Sequence, residues 1–233
     1  RNRGNIGSQC VGALPELAVC PLNACRGEAV RAAMVNVQGV EEDRRYAFVQ
    51  KASRCSFPWL TARELPQMLC YSTSVADAGS SQVAVTVTTP SGEQWPIASD
   101  ELRRALEAHS GRDLFLLRDL RGSYDAAPVS LISSQTISRI AEESKTEAEP
   151  WRFRPNLLID LETGGPFDEL NWIGRLLRVG EKARIAITDT NQRSMMITID
   201  PASATTRPSI LRCGVQTHPP WAGVQWQAST AGV

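Results

Sequence analysis

The chain has 233 residues, 42% hydrophobic and 21% charged, enough to bury one large core or two smaller ones. Lys+Arg and Asp+Glu balance at 25 each, which excludes the global basic field expected of a nucleic-acid or anionic-membrane binder. No apolar run approaches the roughly 20 residues of a membrane span, so neither a nucleic acid nor a membrane is an expected partner.

Cys10, Cys20, Cys25, Cys55, Cys70 and Cys213 form no C-x-x-C pair. Only His109 and His218 could join them, so a zinc site is not expected and the reading is reduced thiols in the cytoplasm. Arg1 to Gln9 is a polar lead. Leu14 to Cys20 reads as a strand closed by Pro21, Ala29 to Val37 as strand or helix, and Gly39 to Val49 as a turn into a strand with Tyr46 and Phe48 on one face. Gln82 to Thr88 alternates Val83, Val85 and Val87 with polar residues, the pattern of a strand. Ser99 caps a helix over Asp100 to His109, with Leu102 and Leu106 on its inner face and Ser110-Gly111 ending it. Leu114 to Leu117 reads as a short buried strand and Leu120 to Ala127 as a connecting segment. Ser133 or Ser134 caps a second helix to about Glu143, before the charged loop Lys145 to Pro150.

Trp151-Arg-Phe-Arg-Pro-Asn-Leu-Leu-Ile-Asp160 is an arginine-rich entry into an apolar strand, and Leu176 to Gly180 is a further strand. Ala183 to Thr188 alternates as a half-buried strand, Asp189-Thr-Asn-Gln carries turn chemistry, and Met195 to Ile199 reads as a returning strand closed by Asp200-Pro201. Arg193 beside Ser194 at the strand mouth suits an anion; a solvated arginine is the plainer reading. Asp168 and Glu169 read as a solvated turn rather than an acid–base pair, and Cys25 as a small buried hydrophobe rather than a reactive thiol. Cys213 and His218 form a nucleophile pair only if the fold brings them together. Beyond Pro201 there are weak strand signals around Ile210 and Val224.

Pro128 to Ser133, the RFRPN run, the acidic residues before Trp172, the strand ending at Gly180, and Arg193-Ser194 before Asp200-Pro201 come in the order of the MOSC domain and resemble it. Cys20-Pro-Leu-Asn-Ala-Cys-Arg-Gly27, Asp43-Arg44 and Thr61-Ala-Arg-Glu-Leu-Pro66 are similar to the N-terminal β-barrel domain that accompanies many MOSC domains. Two-domain members include the mitochondrial amidoxime-reducing component. The resemblance implies a β-rich α+β fold. It places an N-terminal barrel over residues 10–98, a connecting helix and strand over 99–127, and a MOSC domain over 128–233 that lacks the family's last strand.

In cofactor-binding relatives a cleft between the lobes holds the molybdenum cofactor. A lysine and arginines hold its phosphate, and a cysteine thiolate ligates the metal. The family's Arg-Cys pair falls on Arg193 and Ser194, its RFRPN arginine and asparagine on Arg154 and Asn156, and its helix-opening serine on Ser133. The Asp-Arg arginine falls on Arg44, and the lysine and serine of the first motif on Asn23 and Ala24. Arg63 and Gln192 complete the expected contacts, Arg63 joining Arg44, Arg154 and Arg193 in an anion clamp. Ser194 in place of the cysteine, Asn23 in place of the lysine and Ala24 in place of the serine depart from the pattern. The expectation is therefore a pocket without a molybdenum–cysteine bond and without a protein metal ligand, with Arg193 and Ser194 at its reactive end. Three readings follow: an enzyme acting on a small N-oxygenated or sulfur-containing molecule, served by a redox partner; a molybdenum-dependent reductase of N-hydroxylated substrates; and a non-enzymatic anion-binding module.

Overall fold

The computed structural model describes residues 9–51, 53–55, 57–76, 84–124, 127–147, 149–212 and 221–230. It is α+β and rich in strands, as the period-two patterns require. The first half supplies β1 (Gly12–Val19), β2 (Glu28–Val30), the short pair β3 (Val35–Asn36) and β4 (Gly39–Val40), β5 (Tyr46–Gln50), β6 (Ser72–Ala76), β7 (Ala84–Thr88) and β8 (Gln94–Pro96). Helix α1 (Asp100–Ser110) and β9 (Leu114–Arg118) follow. The second half supplies β10 (Val129–Ser133), α2 (Ser134–Ser144), the one-turn α3 (Pro150–Phe153), β11 (Leu157–Leu161), β12 (Leu176–Val179), β13 (Ala183–Gln192) and β14 (Trp221–Thr230).

Seven strands form one sheet in the order β12-β13-β14-β10-β11-β1-β2, curled into a half-barrel. Its one parallel pair is β10–β11, because α2 carries the crossover that parallel neighbours need. That pair is buried on both faces. Leu131, Leu157 and Ile159 pack with Ile185 and Ile187 on one side. Ile132 and Leu158 meet Ile137 and Ile140 of α2 on the other. The first strands of the chain close the far edge of this sheet, and the Ala18 N–H donates to the Asn156 carbonyl at 2.8 Å. The remaining strands of the first half wrap a second core of Leu22, Phe48, Leu60, Met68, Val87 and Leu114. Leu102 and Leu106 of α1 dock into it. Ser99 caps α1, accepting the Leu102 N–H at 3.2 Å, and left-handed Gly111 ends it.

Several sequence expectations need correction. Asp189 to Gln192 is not a turn but the end of β13, which runs on because β14 pairs with it through bulges around Thr188 and Asn191. That partner lies some 35 residues away, beyond local turn chemistry. Met195–Thr198 is a 3-10 turn rather than a strand, capped by Ser194, and Ile210 sits in a helical turn. In β9 only Leu114 is fully buried, since this edge strand turns Phe115 to solvent. Pro150 opens α3 instead of closing a loop. Gln82, Val83, Cys213 and His218 lie outside the described residues. Among the described residues no helix is long and apolar enough to cross a membrane. Cys10, Cys20, Cys25, Cys55 and Cys70 are free thiols.

Candidate functional site

A cavity of about 510 Å³ opens where the half-barrel meets the first-half core. Asn23 and Arg44 line it from one side, Arg152, Phe153 and Arg154 from the segment entering β11, and Asp189 to Ser194 with Gln225 from β13 and β14. Ser123 and Tyr124 close it from the connection between the halves. The structure thus brings Asn23, Arg44, Arg154, Gln192, Arg193 and Ser194 to one wall system.

Each arginine is fixed by backbone geometry or by buried acceptors. Arg44 and Arg154 both hold left-handed backbone, φ +51° and +50°. Such conformations are rare for side chains of this size and cluster at functional sites. The Asp43 carboxylate, wholly buried, accepts the Cys20 N–H at 2.7 Å and pairs with the Arg44 guanidinium. Burial disfavours the Arg44 charge, but Asp43, together with Cys20 and Tyr124, outweighs it and raises the Arg44 pKa. Arg44 Nη2 also donates to the Arg154 carbonyl at 3.2 Å. Arg154 donates through Nη1 to the Cys25 carbonyl. Arg152, 2% exposed at its side chain, donates to Asp200 Oδ2 at 2.7 Å. Burial would raise the Asp200 pKa, but the donors of Ser203 and Ala202, with Arg152, hold it below the ordinary carboxylate value.

Arg193 donates through Nε to the Ala222 carbonyl at 2.7 Å and through Nη1 to the Phe153 carbonyl at 2.9 Å. Its guanidinium carbon stands 5.5 Å from the Phe153 ring centre. Gly223 makes room for it: a Cβ there would meet Arg193 Nη2 at 3.1 Å and the Leu131 carbonyl at 2.2 Å, on backbone of φ +79°. Burial pushes the Arg193 pKa down, and Glu169 opposes this. Glu169 corrects the solvated-turn reading. It is fully buried, accepts the Ser133 N–H at 3.2 Å and the Thr136 hydroxyl at 3.0 Å, and lies 2.9 Å from Ser133 Oγ.

Among the described residues, five buried donor-bearing atoms on residues of this cavity have no protein partner: Asn23 Nδ2, Ser123 Oγ, Arg152 Nε, Arg154 Nη2 and Arg193 Nη2. Ser194 Oγ accepts the Met196 N–H at 3.3 Å, which leaves its hydroxyl proton to donate.

Four expected contacts do not line the cavity. Arg63 is exposed, its guanidinium 5.2 Å from the Phe57 ring centre and its Nε 3.4 Å from Thr61 Oγ1, and the fourth arginine on the cavity lining is Arg152 instead. Ser133 caps α2 and holds Glu169. Asn156 lies beneath the wall, accepting the Ser130 N–H at 3.1 Å and donating to the Ala18 carbonyl at 3.2 Å. Ala24 is buried in left-handed backbone and offers no side-chain donor. Sequence reasoning missed Arg152, although the RFRPN run contains it. It also missed Ser123 and Tyr124, whose segment carries no motif. Burial pushes the Cys25 thiol up to about 12, with Arg154 acting against it.

The molybdenum cofactor implied by the resemblance does not fit these residues at its metal end. The position of the thiolate holds a neutral hydroxyl already used as a cap, and the phosphate-side lysine and serine are Asn23 and Ala24.

Comparison with protein families matches the MOSC domain over residues 109–232 and the MOSC N-terminal beta barrel domain over residues 11–114. Among solved structures, the YuaD protein from Bacillus subtilis is similar, with a TM-score of 0.50 and 10% identity over 96% of this chain and 90% of its own, a likeness of fold alone. Comparison with curated proteins finds no match. With both halves matched, the chain belongs to the MOSC domain family, its MOSC domain preceded by the N-terminal β-barrel domain.

Proposed function

We propose that this protein binds a small anionic molecule in the cavity between its halves and acts on it without a molybdenum–cysteine bond. The observation that carries this reading is that several residues lining one cavity, three arginines among them, bear buried donors with no protein partner. Each such group costs about 1–3 kcal/mol while unsatisfied. An oxyanion satisfies several at once, with charge-assisted bonds to arginine. Arg154 and Arg193 hold the anion, and Ser194 donates its hydroxyl to the adjoining atom. Fixed donors of this kind stabilise negative charge as it develops, which suits reaction at an N–O or C–S bond of a small N-oxygenated or sulfur-containing molecule. A reductive reaction would draw its electrons from a partner protein, and the expected setting is the cytoplasm.

The test is elemental analysis of wild-type protein and of Ser194→Cys from a host that makes the cofactor, beside turnover assays with N-hydroxylated and thio-substituted acids. Wild type free of molybdenum yet active on one of these supports the reading. Near-stoichiometric molybdenum in wild type overturns it in favour of the reductase. Binding without turnover of any candidate favours the non-enzymatic module.

A further inference from the structure

The half-barrel has an open side away from the cavity. β12 ends the sheet, and among the described residues no strand pairs with its outer edge. The Ile187 N–H donates to the Arg175 carbonyl at 3.0 Å. By the alternation of an antiparallel pair, Leu176 and Arg178 then turn their backbone N–H and C=O groups to the open side. Across the gap stands β1. β2 pairs only with its residues 17–19, so among the described residues 12–16 have a strand neighbour on the β11 side alone. Between residues 11–14 and 177–180 lies a slot of about 200 Å³, lined also by Leu131, Leu157, Ile159 and Trp172. Protein interiors leave few voids this large, and an apolar one of about 150 Å³ takes a benzene ring.

The rim of the slot is basic. Over residues 175–187, Arg175, Arg178, Lys182 and Arg184 face a single carboxylate, Glu181. Arg178 stands directly opposite Arg184, so the two share the outer face, where like charges destabilise a sheet pair. Arg184 Nη1 turns back to the Glu181 and Ala183 carbonyls at 3.4 and 3.2 Å. Arg175, Arg178 and Lys182 are exposed and make no ion pair among the described residues. Leu176, between two of these arginines, is 61% exposed, while Leu177 and Val179 pack inward on the half-barrel core.

We infer that β12 docks an extended acidic segment of a partner protein, which adds a strand to the open edge and seats an apolar side chain in the slot. Three features choose this occupant. The unpaired N–H and C=O groups match an extended backbone. The slot takes one large apolar side chain from the alternate residues that face inward. The residues between them face outward beside Arg178, where carboxylates relieve the crowding of cations. A second copy of this chain does not fit, because pairing β12 with β12 would bring Arg175, Arg178 and Lys182 of both copies together. The slot and the anion cavity share no lining residue, so this inference stands apart from the proposed function.

The probe is a fluorescein-labelled peptide, Glu-Val-Glu-Phe-Glu-Val-Glu, titrated with wild-type protein and read by fluorescence anisotropy at low salt. One control peptide has lysine for each glutamate. Another has proline on both sides of the phenylalanine, which removes ladder donors. The acidic peptide should bind at least about tenfold tighter than either control. Arg178→Glu should weaken it about threefold to tenfold, and Leu177→Phe, which fills the slot, by a similar factor. In wild type, hydrogen exchange at the Leu176 and Arg178 amides should slow in the complex, a readout that holds whether or not the variants fold. Absence of binding, equal affinity for the acidic peptide and either control, or unchanged exchange at those two amides would each overturn the inference. A dimer of the free protein with its β12 amides protected would overturn it in favour of a second copy.

Discussion

Replacing Arg154 by methionine separates what the cavity does from what holds the fold. In the free protein, Arg154 makes one hydrogen bond to the Cys25 carbonyl and has no matched carboxylate among the described residues. Losing a hydrogen bond from a charged donor costs about 1.5–3 kcal/mol. Removing an unmatched, half-buried cation returns a desolvation cost of several kcal/mol for a fully buried ion, less here because the residue is only half-buried. Methionine keeps most of the packing. The two terms nearly cancel, so Arg154→Met should melt between its unchanged midpoint and about 6 °C higher, at roughly 2–4 °C per kcal/mol for a chain of this size. Ligand binding should fall about tenfold to a hundredfold, from the loss of one charge-assisted contact. Thermal melting with and without benzoate, beside calorimetry, reads both effects. A variant that melts well below wild type yet binds normally would refute the reasoning, because Arg154 would then be a structural residue.

The remaining predictions concern packing and titration. Gly223→Ala places a Cβ 2.2 Å from the Leu131 carbonyl on left-handed backbone, and should destabilise the protein by about 3 kcal/mol or more, read from urea unfolding. Cys10 and Cys55 are exposed and should react with a thiol reagent at pH 8 in the native protein. Cys20 and Cys25, both buried with raised pKa, should react only on unfolding, and rapid native labelling of either would contradict the buried geometry. Asp200 titrates below its ordinary value in the folded state, so its contribution is present above the unfolded carboxylate pKa, about 3.9, and is lost as pH falls through the folded value. The stability gap between wild type and Asp200→Asn should therefore close as pH falls from 5 toward 2.5; a constant gap would remove the carboxylate charge from the account.

Local pattern made the capped helix α1 and the alternating strands legible, because each rests on chemistry within a few residues: Ser99 and Gly111 at the ends of α1, Val85 and Val87 on one face of β7. The extension of β13 through Asp189 to Gln192 was not legible. Turn residues there are held extended by β14, and nothing local announces that partner. The same holds for the site. Motif resemblance reached Arg44, Arg154, Arg193 and Ser194, which line the cavity. It also suggested Arg63, whose chemistry suits an anion but whose position on the surface beside Phe57 only the fold decides. Glu169 misled in the opposite direction, since an acidic pair before a tryptophan reads as solvent-facing until Ser133 and Thr136 are brought over it.

The place of β14 between β13 and β10 sets an order of events in time. During synthesis β1 emerges well before β14, yet the later strand joins the two halves of the sheet while the earlier one, with β2, only finishes its rim. Until Trp221–Thr230 has left the ribosome, β10 and β13 have open edges and Arg193 lacks the Ala222 carbonyl that orients it. The first-half core, in which β9 pairs with β5 and which lacks only Ile199 and Met196, can largely condense earlier. The nascent chain therefore passes through an interval with one finished lobe and one exposed pair of strand edges, the stage at which chaperone demand and misassembly should be greatest.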